Sequence, residues 1–146
     1  MLNMIKHAHS GLRWVVLALL VYATINAFLK WRKGATFTEG DRKLNLFTLI
    51  FTHIQLLTGV ALYFMSNKVV MDGASMKDSV LRFFLLEHPF MMVLAVILIT
   101  VGYSKSKKLK ESVAKFKTSF ILFALALLAL LAGIPWPFRE LGAGWY

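Results

Sequence analysis

Four histidines carry most of the chemistry this sequence can offer. His7 and His9 stand close together in Ile5-Lys6-His7-Ala8-His9-Ser10-Gly11, His53 lies in an apolar run, and His88 sits between Glu87 and Pro89. Imidazole nitrogens ligate metals and move protons near neutral pH. Two imidazoles on opposite sides of one iron make a b-type haem site. The rest of the chemical inventory is thin. There is no cysteine, which excludes thiol chemistry, iron–sulfur clusters and covalent haem attachment. No phosphate-binding loop, dinucleotide fingerprint or HExxH motif occurs, and no Ser/His/Asp arrangement can be argued. Glu87 is the one acid within an apolar run, so catalysis by paired carboxylates has no candidates there.

The elements that must position these histidines are strongly apolar. Hydrophobic residues make up 58% of the 146 and charged residues 16%, against roughly 45–50% apolar in a typical soluble domain. A soluble chain this short cannot hide so much apolar surface, and the same composition excludes a disordered one. The net charge of +10 would suit a nucleic-acid binder, but such a protein has no need for long runs of Leu, Ala, Val and Phe. Four runs stand out, at about residues 14–29, 46–65, 83–103 and 119–135. With their flanks, each approaches the ~20 residues of helix that cross ~30 Å of hydrocarbon. Backbone groups in lipid must pair internally. The sequence therefore predicts an all-α membrane protein, one four-transmembrane-helix bundle over residues 1–146, whose first partner is the lipid bilayer.

Charge predicts the orientation. Lys30, Arg32, Lys33, Arg42 and Lys43 lie between the first and second runs, and Lys105, Lys107, Lys108, Lys110, Lys115 and Lys117 between the third and fourth. Positive loops stay on the cytoplasmic side, which puts both termini and the middle loop outside a bacterial inner (cytoplasmic) membrane. The main charge cluster follows the first run, the reverse of a signal peptide, so that helix is expected to be retained. Trp14, Trp31, Tyr63, Tyr103, Trp136, Trp145 and Tyr146 fit interfacial belts. Thr38-Glu39-Gly40-Asp41 supplies turn and capping groups before the second helix, and Gly133, Pro135 and Pro137 end the fourth.

Histidines inside a membrane are costly and face a bundle interior or cavity. Counting ~1.5 Å per residue from each run's midpoint, His88 sits roughly 7 Å outward of centre, His9 roughly 16–18 Å outward and His53 about 4 Å inward. His9 with His88 is therefore the first choice of axial pair and His53 with His88 the second. Thr48, Thr52, Gln55, Gly59 and Tyr63 form a stripe on the second helix. His53 lies off it, so a cofactor there would require that helix to bury two faces. His9 shares a side with Leu20, Ala23 and Ala27, whose small side chains would leave room for a flat ring. For His7 the choice lies between a solvated interfacial imidazole and a ligand. For His53 it lies between a ligand and a hydrogen-bonded interior residue. Arg13 would meet a haem propionate or anchor the interface, and Glu87 would serve a proton or quinone or pair with Arg82 or Arg13.

Several stretches carry a family resemblance. They are His7-Ala8-His9-Ser10-Gly11-Leu12-Arg13-Trp14, Thr52-His53-Ile54-Gln55-Leu56-Leu57-Thr58-Gly59, Glu87-His88-Pro89 and Gly133-Ile134-Pro135-Trp136-Pro137-Phe138-Arg139. Over essentially the whole chain they resemble small four-helix cytochrome b-like membrane proteins of Bacteroidota. A wider resemblance reaches the four-helix haem and copper membrane superfamily. There, the Ile-Lys-x-x-His opening of membrane protoporphyrinogen oxidase is similar to Ile5-Lys6-His7-Ala8-His9 and implies His9 as the equivalent histidine. The His-x-Lys pattern of that family is broken, because Pro89 and Phe90 follow His88, which counts against porphyrinogen oxidation.

The expected function is binding of haem b for one-electron transfer in the outer half of the membrane, with a quinone or a respiratory complex as partner. His9 and His88 are the expected ligands, with His53 as alternative or second-site ligand and Arg13 near the propionates. One rival is a copper-handling protein using His7, His9, His88 and the methionines Met4, Met71 and Met76. The other is a cofactor-free accessory subunit of a larger membrane complex.

Overall fold

The structure, a computed structural model, describes residues 1–73 and 75–144. Helix α1 spans Leu2–Lys33, α2 Glu39–Met65, α3 Ser79–Arg82, α4 His88–Lys108 and α5 Ser112–Gly133. A π-helical turn, Phe83–Glu87, joins α3 to α4 so that Ser79–Lys108 forms one continuous span. Among the described residues, four helices are long and apolar enough to cross a membrane. The chain is an all-α four-helix bundle, as its composition requires. The outermost aromatic pair of the expected belts, Trp145 and Tyr146, lies outside the described residues.

Helix α1 starts well before its apolar run. Residues 3–13 contain no proline, and the element stops only at Gly34, whose φ of 63° makes a left-handed cap. At 32 residues it is about 48 Å long, so its first turns reach beyond the ~30 Å of hydrocarbon. Helix α2 opens with the expected capping box: Thr38 accepts from the Asp41 N–H, and Asp41 accepts from the Thr38 N–H.

α1 packs against α2 and α5, and α4 packs against α5 and α2, which places α1 and α4 diagonally across the bundle. The α2–α4 seam is the thinnest of the four. The core is Val16, Leu20, Ala23, Ala95, Ile99, Phe123, Ala126, Ala129 and Leu130. Small residues at these positions bring helix backbones together, the main source of association between helices in lipid. Ala23 and Ala27 are 0% and 2% exposed. They close the interface instead of leaving space for a ring, because each small side chain is matched by the approach of a neighbouring helix.

Buried polar bonds tie the Lys-rich end. Asp41, 4% exposed, accepts from Asn26 Nδ2 at 2.8 Å and from Lys30 Nζ at 2.6 Å, linking α1 to α2. Asn45 Nδ2 donates to Ser119 Oγ of α5 at 3.1 Å. At the opposite end Lys68 Nζ donates to the Gly142 carbonyl at 2.6 Å, and the first turns of α1 lie alongside.

Proline sets the shape of that opposite end. Pro135 has no N–H to offer Leu131, so the Leu131 carbonyl takes Trp136 Nε1 at 2.9 Å. Arg139 Nη1 donates to the Ala132 carbonyl at 2.9 Å and approaches Ile134 O at 3.3 Å. Gly133 O receives His88 Nδ1 at 2.7 Å. The last carbonyls of α5, which no helix can satisfy internally, are thus served by side chains. Pro89 acts similarly on the third span. Its ring would strike the carbonyl four residues back, at Leu85, and it cannot donate to it. The chain widens into the π turn, with the His88 N–H bonding Phe83 O, while Tyr63 of α2 donates its hydroxyl to Leu85 O at 3.2 Å.

Candidate functional site

Beyond the close-packed core, α1, α2 and α4 diverge around a cavity of about 430 Å³. Ligand sites of this kind are mostly apolar with a few placed polar groups, at about 300–1,000 Å³. Here the walls include Val16, Leu56, Val93, Val96 and Leu130, and the polar groups include His9, Gln55, Tyr63 and His88. His9 and His88 are brought together from the diagonal helices, with ring centroids 6.4 Å apart and planes at 78°.

Their hydrogen bonds assign the tautomers. His88 Nδ1 lies 2.7 Å from Gly133 O. A carbonyl only accepts, so His88 carries its proton on Nδ1 and keeps a lone pair on Nε2. Thr58 donates its single hydroxyl proton to Gln55 O at 2.9 Å, which leaves Thr58 Oγ1 an acceptor for His9 Nδ1 at 3.0 Å. His9 is therefore also the Nδ1–H form. Gln55 Nε2 donates to the His9 carbonyl at 3.0 Å and stands 3.3 Å from His9 Nε2, a long contact with a lone pair. Gln55 Oε1 is buried without a hydrogen-bond partner. Gly59 makes room for this arrangement: a Cβ there would meet His9 Cε1 at 3.1 Å.

Metal-ligating histidines typically donate their second ring N–H to a carbonyl or carboxylate, which fixes the ring and the tautomer. His88 shows that pattern, and His9 shows it with a hydroxyl. Two imidazoles sharing one metal at about 2.0–2.1 Å each hold their centroids about 6 Å apart, close to the separation found. These two imidazoles are the donors the site would offer a metal between the two helices, with Gln55 displaced from His9 Nε2.

The mouth of the cavity is cationic. Among the described residues, Lys6, His7, Arg13 and Lys68 line it and no carboxylate does. Burial holds the Lys68 ammonium below the ordinary lysine value, and the Lys6 charge pushes the same way. Arg13 also lies against the Trp14 ring, 5.1 Å from its centroid.

The remaining sequence candidates lie elsewhere. His53 is exposed on the outer face of α2, with Nδ1–H donated to Leu49 O at 2.8 Å, and does not reach the cavity. The structure does not assemble the His53–His88 pair. Glu87 is exposed and pairs with Arg82 at 3.0 Å, one of the two partners expected for it. Met4, Met71 and Met76 are exposed and do not line the cavity, whereas Met92 does. Among the described residues no three His, Asp or Glu side chains gather as a metal cluster. Thr58 and the Gly133 carbonyl, which orient the two histidines, are the site groups that sequence reasoning missed. Both act across 45 or more residues, and only the position of Gly133 before Pro135 hinted at an open carbonyl. Comparison with protein-family models, with curated proteins and with solved structures returned no match for this chain.

Proposed function

We propose that this integral membrane protein binds a b-type haem in the cavity between α1, α2 and α4, with His9 and His88 as axial ligands through Nε2. The observation that carries the reading is the pair of Nδ1–H imidazoles that two diagonal helices bring to one cavity with ring centroids 6.4 Å apart. The apolar walls would exclude water, and Lys6, Arg13 and Lys68 would receive the two propionates. Haem supplies a one-electron couple. Gly133 O would fix the His88 ring, and Thr58 the His9 ring. Gln55 would turn from His9 Nε2 when that lone pair is taken. In this reading the Lys-rich end would face the cytoplasm of a bacterium and the cavity would lie in the outer leaflet, the arrangement the positive-inside rule favours. A quinone or a respiratory complex is the electron partner this position suits.

Spectra test the reading. Protein purified in mild detergent from cells supplied with haem and copper is expected to show a sharp Soret band, and split α and β bands on dithionite reduction. Copper without haem would favour the copper-handling reading, with Met92 as the one thioether in reach. Neither metal would leave the accessory-subunit reading and refute this one.

A further inference from the structure

The Lys-rich end contains a second, smaller cavity of about 50 Å³ between α2, α4 and the start of α5. Arg42, Lys107 and Lys115 stand around it, and Asn45, Tyr103 and Ser106 line it; among the described residues no carboxylate lines it, though Glu39 pairs with Arg42. Neither Lys107 nor Lys115 has an ion-pair partner among the described residues.

Ser106 points to what is missing. It is 2% exposed, yet its hydroxyl has no hydrogen-bond partner among the described residues. The contrast with its neighbours is informative. Thr24, Thr48, Thr52 and Thr100 each return the hydroxyl proton to the carbonyl four residues back. Ser106 does not, and it lines the cavity. The Ser106 hydroxyl opens on the cavity, which has room for a water-sized group, and so is placed to donate to an acceptor there. Lys107 and Lys115, the latter with its ammonium 5.1 Å from the Phe37 ring centroid, set positive charge beside it.

We propose that this cavity binds an anionic phosphate group, with Ser106 donating to a phosphate oxygen and Lys107 and Lys115 balancing its charge. Lysine is a point-charge phosphate binder, whereas Arg42 is already paired with Glu39. The cavity lies where the helices leave the hydrocarbon, marked by Tyr103 and the lysine cluster, at the level of lipid headgroups. Basic pockets between membrane helices on the cytoplasmic side take such headgroups. The phosphate comes either from an anionic phospholipid or from free phosphate. The proposal is independent of what occupies the histidine cavity.

The test uses the whole chain in detergent, titrated with dioleoylphosphatidylglycerol, with dioleoylphosphatidylcholine or with inorganic phosphate, and read by native mass spectrometry and melting temperature. One phosphatidylglycerol per chain is expected to bind saturably, with phosphatidylcholine much weaker. Lys107→Gln/Lys115→Gln should weaken that binding about tenfold or more. Ser106→Ala, which keeps every charge, should weaken it several-fold without lowering the melting temperature of lipid-free protein. Lys33→Gln/Lys110→Gln removes the same charge from the same end and should leave affinity within about twofold. Competition by millimolar inorganic phosphate identifies a site that accepts the free ion, and its failure identifies a headgroup site. Equal binding of the two lipids, or equal loss in the two double variants, overturns the proposal.

Discussion

Gly133→Ala is the sharpest test of how the cavity is built. Gly133 ends α5 and has an ordinary backbone conformation, so its small size matters and not its flexibility. A Cβ there would lie 2.6 Å from Met91 Cβ and 2.6 Å from Met92 Cε. Met92 can swing its terminal methyl away. Met91 Cβ is fixed to the α4 backbone and can move only with the helix. Carbon atoms settle at about 3.5–4.0 Å, so α4 and α5 must part locally by about 1 Å. The same shift stretches the His88 Nδ1 to Gly133 O bond from 2.7 Å to about 3.7 Å, beyond hydrogen-bond range. Overpacking costs about 1–3 kcal/mol, and the carbonyl left unpaired about 1–3 more. At about 2–4 °C per kcal/mol for a chain near this size, the variant should melt roughly 5–20 °C below wild type in detergent. Gly11→Ala is the control. Its Cβ meets nothing within 4 Å, and alanine gains about 1 kcal/mol over glycine inside a helix, so this variant should melt at or above wild type. Gly133→Ala melting with wild type would refute the reasoning about the α4–α5 contact.

Other outcomes follow from the same geometry. His9→Ala and His88→Ala should each abolish a low-spin haem spectrum while His53→Ala keeps it; retention in both of the first two would show that the ligands lie elsewhere. Tyr63→Phe leaves Leu85 O without its hydroxyl partner and should cost about 1–3 kcal/mol. In a Pro89→Ala background, where position 89 regains an N–H for that carbonyl, the same change should cost much less, and a double-mutant cycle read by thermal unfolding measures the coupling. Asp41→Asn removes the charge that holds Lys30 and Asn26 and should destabilise by about 2–3 kcal/mol. Glu39→Gln, in an exposed pair with Arg42, should stay within about 1 kcal/mol in the same melting assay.

The fold was largely legible because lipid leaves so few choices. Four apolar runs between basic loops admit little besides four helices, and the capping box at Thr38 and the proline stop after Gly133 are local signals. The stripe Thr48, Thr52, Gln55, Gly59 and Tyr63 also read true, since Thr48 and Thr52 are buried and the other three line the cavity. His53, off that stripe, faces outward accordingly. Three features were hidden. A small residue in sequence reads equally as a gap or as a close contact, and Ala23 and Ala27 are contacts. Pro89 announces a disturbance, but the hydroxyl that takes up the freed carbonyl comes from α2. The partners of His9 and His88 depend on which helices lie side by side, which no local pattern encodes.

The Gly133 carbonyl has a consequence for how deep the third and fourth helices sit relative to each other. Close contacts such as Gly133 on Met91 and Gly102 on Phe123 set one level along the membrane normal, and a polar bond adds a second. Trp136 and Arg139 finish the end of α5 from within its own tail, but they leave one carbonyl open. His88 fills it from the other hairpin arm. A slip of one helical turn, about 5.4 Å, would strand both groups in hydrocarbon. That single bond acts as a depth gauge, setting the two arms level before anything else enters the space between them.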